Sequence, residues 1–140
     1  MLAVFLGLRE GAGATVCCAS AAREASLYRQ PVLAIDGRHS DAGLSSLFNR
    51  TDGDGEDWLG ALRGGRKALS ALWRKCADIV VTVTEADHNS LLRLRRTPLE
   101  DNDVLLLNKI EPESTVMREI ITYLSTEARF QPHLAPMRIL

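Results

Sequence analysis

Several features that would assign a protein class directly are scarce in this sequence of 140 residues. Three cysteines, Cys17, Cys18 and Cys76, lack the spacing of a zinc site, so we expect reduced, packed thiols rather than disulfides. A net charge of −1 gives no general attraction to nucleic acid, and we predict no nucleic-acid partner. No apolar run approaches the roughly 18 residues of a membrane span. These absences favour one small cytoplasmic globular domain covering residues 1–140, without a transmembrane segment.

A glycine loop near the start of the chain is the most informative feature present. An apolar run, Met1–Leu8, is followed at once by Arg9-Glu10-Gly11-Ala12-Gly13-Ala14-Thr15. This order predicts a buried strand, a tight loop and a helix, in which free N–H groups and the helix dipole favour an anion. The usual phosphate-binding loop also has a lysine, but Ala14 stands at that position, and Thr15 stands where the metal-binding hydroxyl belongs.

The rest of the chain alternates strand patterns with helix patterns. Strands are predicted at Pro31–Ile35, Ile79–Thr84 and Val104–Leu107, with Met137–Leu140 as a further edge strand. Helices are predicted at Thr15–Arg29, Ala42–Phe48, two stretches between Asp57 and Cys76, Ser90–Arg96 and Ser114–Phe130. Together with the first strand, this alternation predicts a three-layer α/β fold with a mostly parallel, doubly wound sheet of four to five strands.

Polar residues follow most of the predicted strands. Asp36, Glu85, Asp87 and Asn108 stand at or just beyond strand ends, as the glycine loop does. Because the carboxyl ends of parallel strands share one edge of the sheet, this pattern favours a nucleotide or phosphate site there. Asp36 and the nearby Asp41 also suit a turn residue and a helix N-cap, and the sequence leaves those alternatives open.

The order of these motifs resembles a known family. Strand, R-E-G-A-G-A-T, helix, V-L-A-I-D and later L-L-L-N-K is similar to the deviant P-loop ATPases of the MinD/ParA class. Within that class, the loop arginine Arg9, the segment D-G-E-D-W at 54–58 and the stretch 77–90 resemble most closely the YhjQ-type, or BcsQ, accessory proteins of bacterial cellulose synthase operons. The resemblance implies a P-loop NTPase type of fold, shortened and with a degenerate loop.

The resemblance also implies roles for individual residues. Arg9, Gly11, Gly13 and Thr15 match the phosphate loop, Asp36 matches an aspartate ending the second strand, and Asn108 resembles an asparagine that contacts adenine. Thr15 and Asp36 would then hold Mg²⁺ beside ATP. The family further implies a homodimer, association with the cellulose synthase complex or its cytoplasmic accessory proteins, and recruitment to the inner membrane through those partners.

Departures from the family pattern argue against efficient hydrolysis. Ala14 replaces the lysine, Glu10 replaces a loop glycine, Arg38 stands where a second aspartate is expected, and the D-x-P-x-G strand has no counterpart. We therefore assign no catalytic residue and expect weak or no ATP hydrolysis, because positioning and charge stabilisation supply most phosphoryl-transfer catalysis. The alternatives are a scaffold of the same fold that binds no nucleotide or Mg²⁺, and an unrelated flavodoxin-like or response-regulator-like domain.

Overall fold

A computed structural model describes residues 1–34 and 73–135, which belong to two compact units. The first unit combines Met1–Ala14 with Cys76–Leu140, and the second is Thr15–Lys75. The described residues form strands β1 (Ala3–Gly7), β2 (Ile79–Glu85) and β3 (Asp103–Asn108). They also form helices α1 (Ala14–Leu27), α2 (His88–Arg96) and α3 (Thr115–Thr126), and a 3-10 helix at Gln131–His133.

The strands of the first unit form one parallel sheet in the order β1-β2-β3. Ala3 pairs with Ile79 at one end of the β1–β2 ladder, and Glu85 pairs with Asn108 at the end of the β2–β3 ladder. The β-branched run predicted as a strand at Ile79–Thr84 is the central one of the three described strands, and its Val80 and Val83 are buried. This sheet, with its helices, confirms the predicted parallel α/β fold and three of its strands.

An apolar core lies between the sheet and helices α2 and α3. Its buried members are Ala86, Leu94, Leu105, Ile120, Leu124 and Phe130. Both helices begin at capping side chains: Asp87 accepts a hydrogen bond from the Ser90 N–H at 2.9 Å, and Ser114 accepts one from the Met117 N–H at 3.3 Å. These caps satisfy N–H groups that the first turn of a helix leaves free.

The end of the described chain runs beside β3. Leu134 forms an isolated parallel bridge with Leu105, and the Ala135 N–H donates to the Leu105 carbonyl at 3.0 Å. The edge strand predicted at 137–140 lies outside the described residues. The bridge at Leu134 shows that the chain just before it runs beside β3.

The second unit contains α1 from its second residue, Thr15, and the residues that follow the helix as far as Lys75. Helix α1 has the predicted start within one residue and ends at Leu27, two residues earlier than predicted. Residues 31–34 form no strand, which corrects the prediction for that part of Pro31–Ile35. Pro31 has no N–H for a strand ladder, and Val32 and Leu33 are 46% and 83% exposed, unlike residues of a buried strand.

Several other predictions fall on residues that the structure does not describe. They concern Ile35, Asp36, Asp41, the helix 42–48 and the helical stretches between 57 and 72. Among the described residues, no helix combines the length and the apolar character that crossing a membrane requires.

Candidate functional site

The loop between β1 and α1 is a tight turn built on two glycines. Gly11 and Gly13 have φ values of +78° and +95°, which favour glycine because a Cβ atom would be strained there. Between them, Ala12 is 1% exposed, and its N–H donates to the Arg9 carbonyl at 3.3 Å. The tight loop that the sequence predicts from these two glycines is therefore present in the structure.

Asn108, at the end of β3, holds this loop against the sheet. Its side-chain amide donates to the Ala12 carbonyl at 2.9 Å. A Cβ atom on Gly13 would overlap the same amide nitrogen, so the third residue of the turn must be glycine. Asn108 thus has a structural partner in the loop, and its proposed contact with adenine stays a prediction.

Lys109, the next residue, brings an ammonium group to the loop. Its Nζ donates to the Gly11 carbonyl at 2.6 Å and to Oε1 of Glu85 at 2.8 Å. The backbone of Lys109 is in the left-handed region, with φ of +54°, which is unusual for a non-glycine residue and is often found at functional sites. The loop that lacks a lysine at position 14 is therefore contacted by a lysine that directly follows β3.

Glu85, at the end of β2, bridges two cations with its two oxygen atoms. Oε1 accepts from Lys109 at 2.8 Å, and Oε2 accepts from the guanidinium of Arg9. The Glu85 side chain is 12% exposed, whereas those of Arg9 and Lys109 are 35% and 54% exposed. The pKa of Glu85 is lowered, first by the hydrogen bond from Lys109 and then by that from Arg9.

Asp87 adds a second carboxylate beside Arg9. Its Oδ2 lies 3.4 Å from the Arg9 guanidinium and also accepts from the Ser90 hydroxyl at 2.8 Å. Partial burial acts to raise the pKa of Asp87, but the hydrogen bonds from Ser90 and the charge of Arg9 outweigh it, and the pKa is lowered. The pKa of Arg9 is raised, chiefly by its hydrogen bond to Glu85.

These four side chains form what we call the edge cluster: Arg9, Glu85, Asp87 and Lys109. Two basic and two acidic side chains give it a formal charge of zero. One donor stays unsatisfied, since the Nε of Arg9 is buried without a hydrogen-bond partner. The cluster is thus electrically balanced within the protein.

The structure brings together four of the residues predicted from the sequence for a ligand site. Arg9, Gly11, Gly13 and Asn108 all lie at the carboxyl edge of the sheet, as parallel strand ends should. Thr15 is the second residue of α1 and belongs to the second unit. Asp36 lies outside the described residues.

The pairing of Glu85 with Lys109 was missed by sequence reasoning. Both residues stand at strand ends, and Lys109 directly follows Asn108, so their presence at this edge was predictable. Their contact depends on the register that places Glu85 opposite Asn108, which the sequence does not reveal. Within residues 1–34 and 73–135, no three His, Cys, Asp or Glu side chains converge on a metal position.

Comparisons with known proteins add a family match. A family model described as Cellulose biosynthesis protein BcsQ matches residues 65–139, which is 75 of the 140 residues. The match includes β2, α2, β3 and α3, and therefore Glu85, Asn108 and Lys109, but it does not include the loop at 9–15. Searches of curated proteins and of solved structures found no match.

Proposed function

Since this chain belongs to the BcsQ family of cellulose biosynthesis proteins, we propose that it is a MinD/ParA-like accessory or regulatory protein of bacterial cellulose biosynthesis and secretion. In this role it has weak or no ATP hydrolysis and assists the synthase complex through association with its cytoplasmic parts. We place it in the cytoplasm, recruited to the inner membrane through those partners. The family match over residues 65–139 carries this proposal.

The edge cluster supports weak or absent hydrolysis. The left-handed glycines of the loop suit a phosphate group, and Arg9 and Lys109 are the nearby cations. Both cations are already paired with carboxylates, and position 14 supplies none. A phosphoryl-transfer site needs uncompensated positive charge at the transferring group, so this balance argues against turnover.

ATP with Mg²⁺ is the ligand that we propose for the loop. The backbone at Gly11 and Gly13 would hold a phosphate group, and Asn108 and Lys109 would position the loop from β3. Thr15 and Asp36 are proposed as the magnesium residues on the family resemblance alone. When bound, the metal would neutralise phosphate charge that the balanced cluster leaves uncompensated.

The measurement of turnover tests this proposal directly. We expect phosphate release from ATP at the level of a buffer blank, because removing one charge-stabilising group typically costs about 10²–10³-fold in rate. Thr15→Ala serves as the matched variant, since it changes the residue proposed for the metal. Steady release by the wild type that disappears in Thr15→Ala would contradict the proposal.

A scaffold that binds no nucleotide is the second candidate function. The zero formal charge of the edge cluster favours it, because the cluster is satisfied without any ligand. Titration calorimetry with Mg-ATP distinguishes the two candidates. Heat that saturates at one site per chain indicates the nucleotide-binding regulator, and the absence of binding indicates the scaffold.

A further inference from the structure

We propose that Glu85 is a specificity-determining residue of the glycine loop: its carboxylate occupies the two cations that a phosphate group on the loop would need. The inference rests on the proposed function, because it concerns how the same loop selects its ligand. The new element is a competitor within the chain itself, since the Glu85 carboxylate competes with an anionic ligand for the same cations. An anion binds to the loop only when it displaces the Glu85 carboxylate from Arg9 and Lys109.

The geometry of the carboxylate is the first argument. Its two oxygen atoms divide between two cations from two different segments, Oε1 with Lys109 and Oε2 with Arg9. A phosphate group also presents several oxygens to several donors at once. Glu85 therefore makes with its own chain the bridging contact that an anionic ligand would make.

The link to the loop is the second argument. The ammonium of Lys109 contacts the Gly11 carbonyl at 2.6 Å while it contacts Glu85 at 2.8 Å. One cation thus connects the loop backbone and the internal carboxylate. An anion on the loop that recruits Lys109 must compete with Glu85 for the same ammonium group.

The incomplete satisfaction of Arg9 is the third argument. The carboxylates of Glu85 and Asp87 both lie against its terminal nitrogen Nη2, whereas its buried Nε has no acceptor. The internal carboxylates therefore neutralise the guanidinium without using all of its donors. A buried donor without an acceptor costs free energy, so the present arrangement of Arg9 is not its best one, and a rearrangement that gives Nε an acceptor would recover that cost.

Glu85→Gln is the variant that tests this inference. The amide keeps the size of the side chain but removes the charge that holds both cations. We expect inorganic tripolyphosphate to bind at least tenfold more tightly to Glu85→Gln than to the wild type, measured by calorimetry at pH 7.5 and fixed ionic strength. Glu85→Asp, which keeps the charge but shortens the reach, should give a smaller gain.

Two control variants separate a local competitor from a general charge effect. Glu119→Gln removes the same charge from an exposed position on α3, and we expect no gain in binding. Asp87→Asn removes a carboxylate that contacts Arg9 but not Lys109, so its gain should be clearly smaller than that of Glu85→Gln. In the double variant Glu85→Gln with Lys109→Met, the gain should disappear.

The outcomes are distinct from those that test the proposed function. Equal affinity of the wild type, Glu85→Gln and Glu85→Asp for tripolyphosphate would overturn the role of Glu85, as would an equal gain in Glu119→Gln. Neither result bears on ATP turnover. Phosphate release by the wild type would instead contradict the proposed function and leave the measured competition in place. Far-ultraviolet circular dichroism of each variant confirms that the compared proteins are folded.

Discussion

At the end of β2, a single glutamate takes its environment from three segments that lie far apart in the chain. Glu85 is mostly buried, and both of its oxygens accept from cations. The folded protein is stabilised while this carboxylate is ionised. Protonating or removing the carboxylate lowers the stability, because Arg9 and Lys109 then lose their negative partner. Its ionisation therefore links the stability of the sheet edge to pH.

The sign of this link follows from the direction of the pKa shifts. The pKa values of Glu85 and Asp87 are lowered in the folded protein, below the ordinary values of about 4.3 for glutamate and 3.9 for aspartate. Their contribution to stability is therefore complete above the unfolded-state values. It is lost as the pH falls through the folded-state values.

We predict that Glu85→Gln reduces the free energy of unfolding at pH 7 by about 1–3 kcal/mol and flattens its dependence on pH below about 5. The amide cannot compensate the charges of Arg9 and Lys109, and it does not titrate. Urea unfolding between pH 3 and pH 7 measures both effects, with Glu119→Gln as the control. Parallel curves for the wild type and Glu85→Gln would contradict the prediction.

At the scale of elements, side-chain contacts join the glycine loop after β1 to the ends of β2 and β3. Its two left-handed glycines differ in surroundings: a Cβ atom on Gly11 would meet nothing within 4 Å, whereas one on Gly13 would overlap the amide of Asn108. The two positions thus separate backbone strain from steric exclusion within one turn.

We predict that Gly11→Ala lowers the free energy of unfolding by about 1–2 kcal/mol, through backbone strain alone. Gly13→Ala should cost about 2–4 kcal/mol, because the collision with Asn108 adds to that strain. Thermal unfolding of both variants measures the difference. In a second step, Asn108→Ala should relieve part of the cost of Gly13→Ala. If the two alanine variants were equally stable, the close approach of Asn108 to the loop would be wrong.

The sequence predicted those elements whose composition leaves little choice. The β-branched residues of β2 and the aliphatic residues of β3 were sufficient to predict two strands. The serine before α3 was sufficient to predict where that helix begins. Residues 31–34 were wrongly assigned because their aliphatic character resembles a buried strand although Pro31 removes a ladder donor. The loop was predicted from its glycines, but the ion pairs of the edge cluster depend on strand register and side-chain reach.

At the scale of the whole molecule, the family resemblance predicts that two copies of the chain associate. Among the described residues, β1 pairs with a neighbour on one side only, which is β2. Arg9 follows β1 and is held by Glu85 and Asp87 of its own chain. In the absence of ligand it is therefore already paired, and we do not expect it to contribute to contacts with a second chain.

We predict a homodimer at micromolar concentration, and we expect Arg9→Gln to leave it unchanged in the absence of nucleotide. With Mg-ATP present, Arg9→Gln should weaken the dimer, because a ligand that displaces Glu85 releases the guanidinium for new contacts. Analytical ultracentrifugation with and without Mg-ATP measures this, and Arg118→Gln, on α3, is the matched control. A monomer under both conditions would contradict the prediction.

The parallel pairing of β1 with β2 also predicts an order of events during synthesis. Ala3 lies opposite Ile79, so the two partners are 76 positions apart in the sequence. At about 5–20 residues per second, β1 leaves the ribosome roughly 4–15 s before its partner strand exists. Strand β2 then meets β3 after a far shorter span, and local pairs form fastest. We therefore expect the glycine loop and its surrounding charges to assemble after β2 and β3 have paired, when β1 joins them.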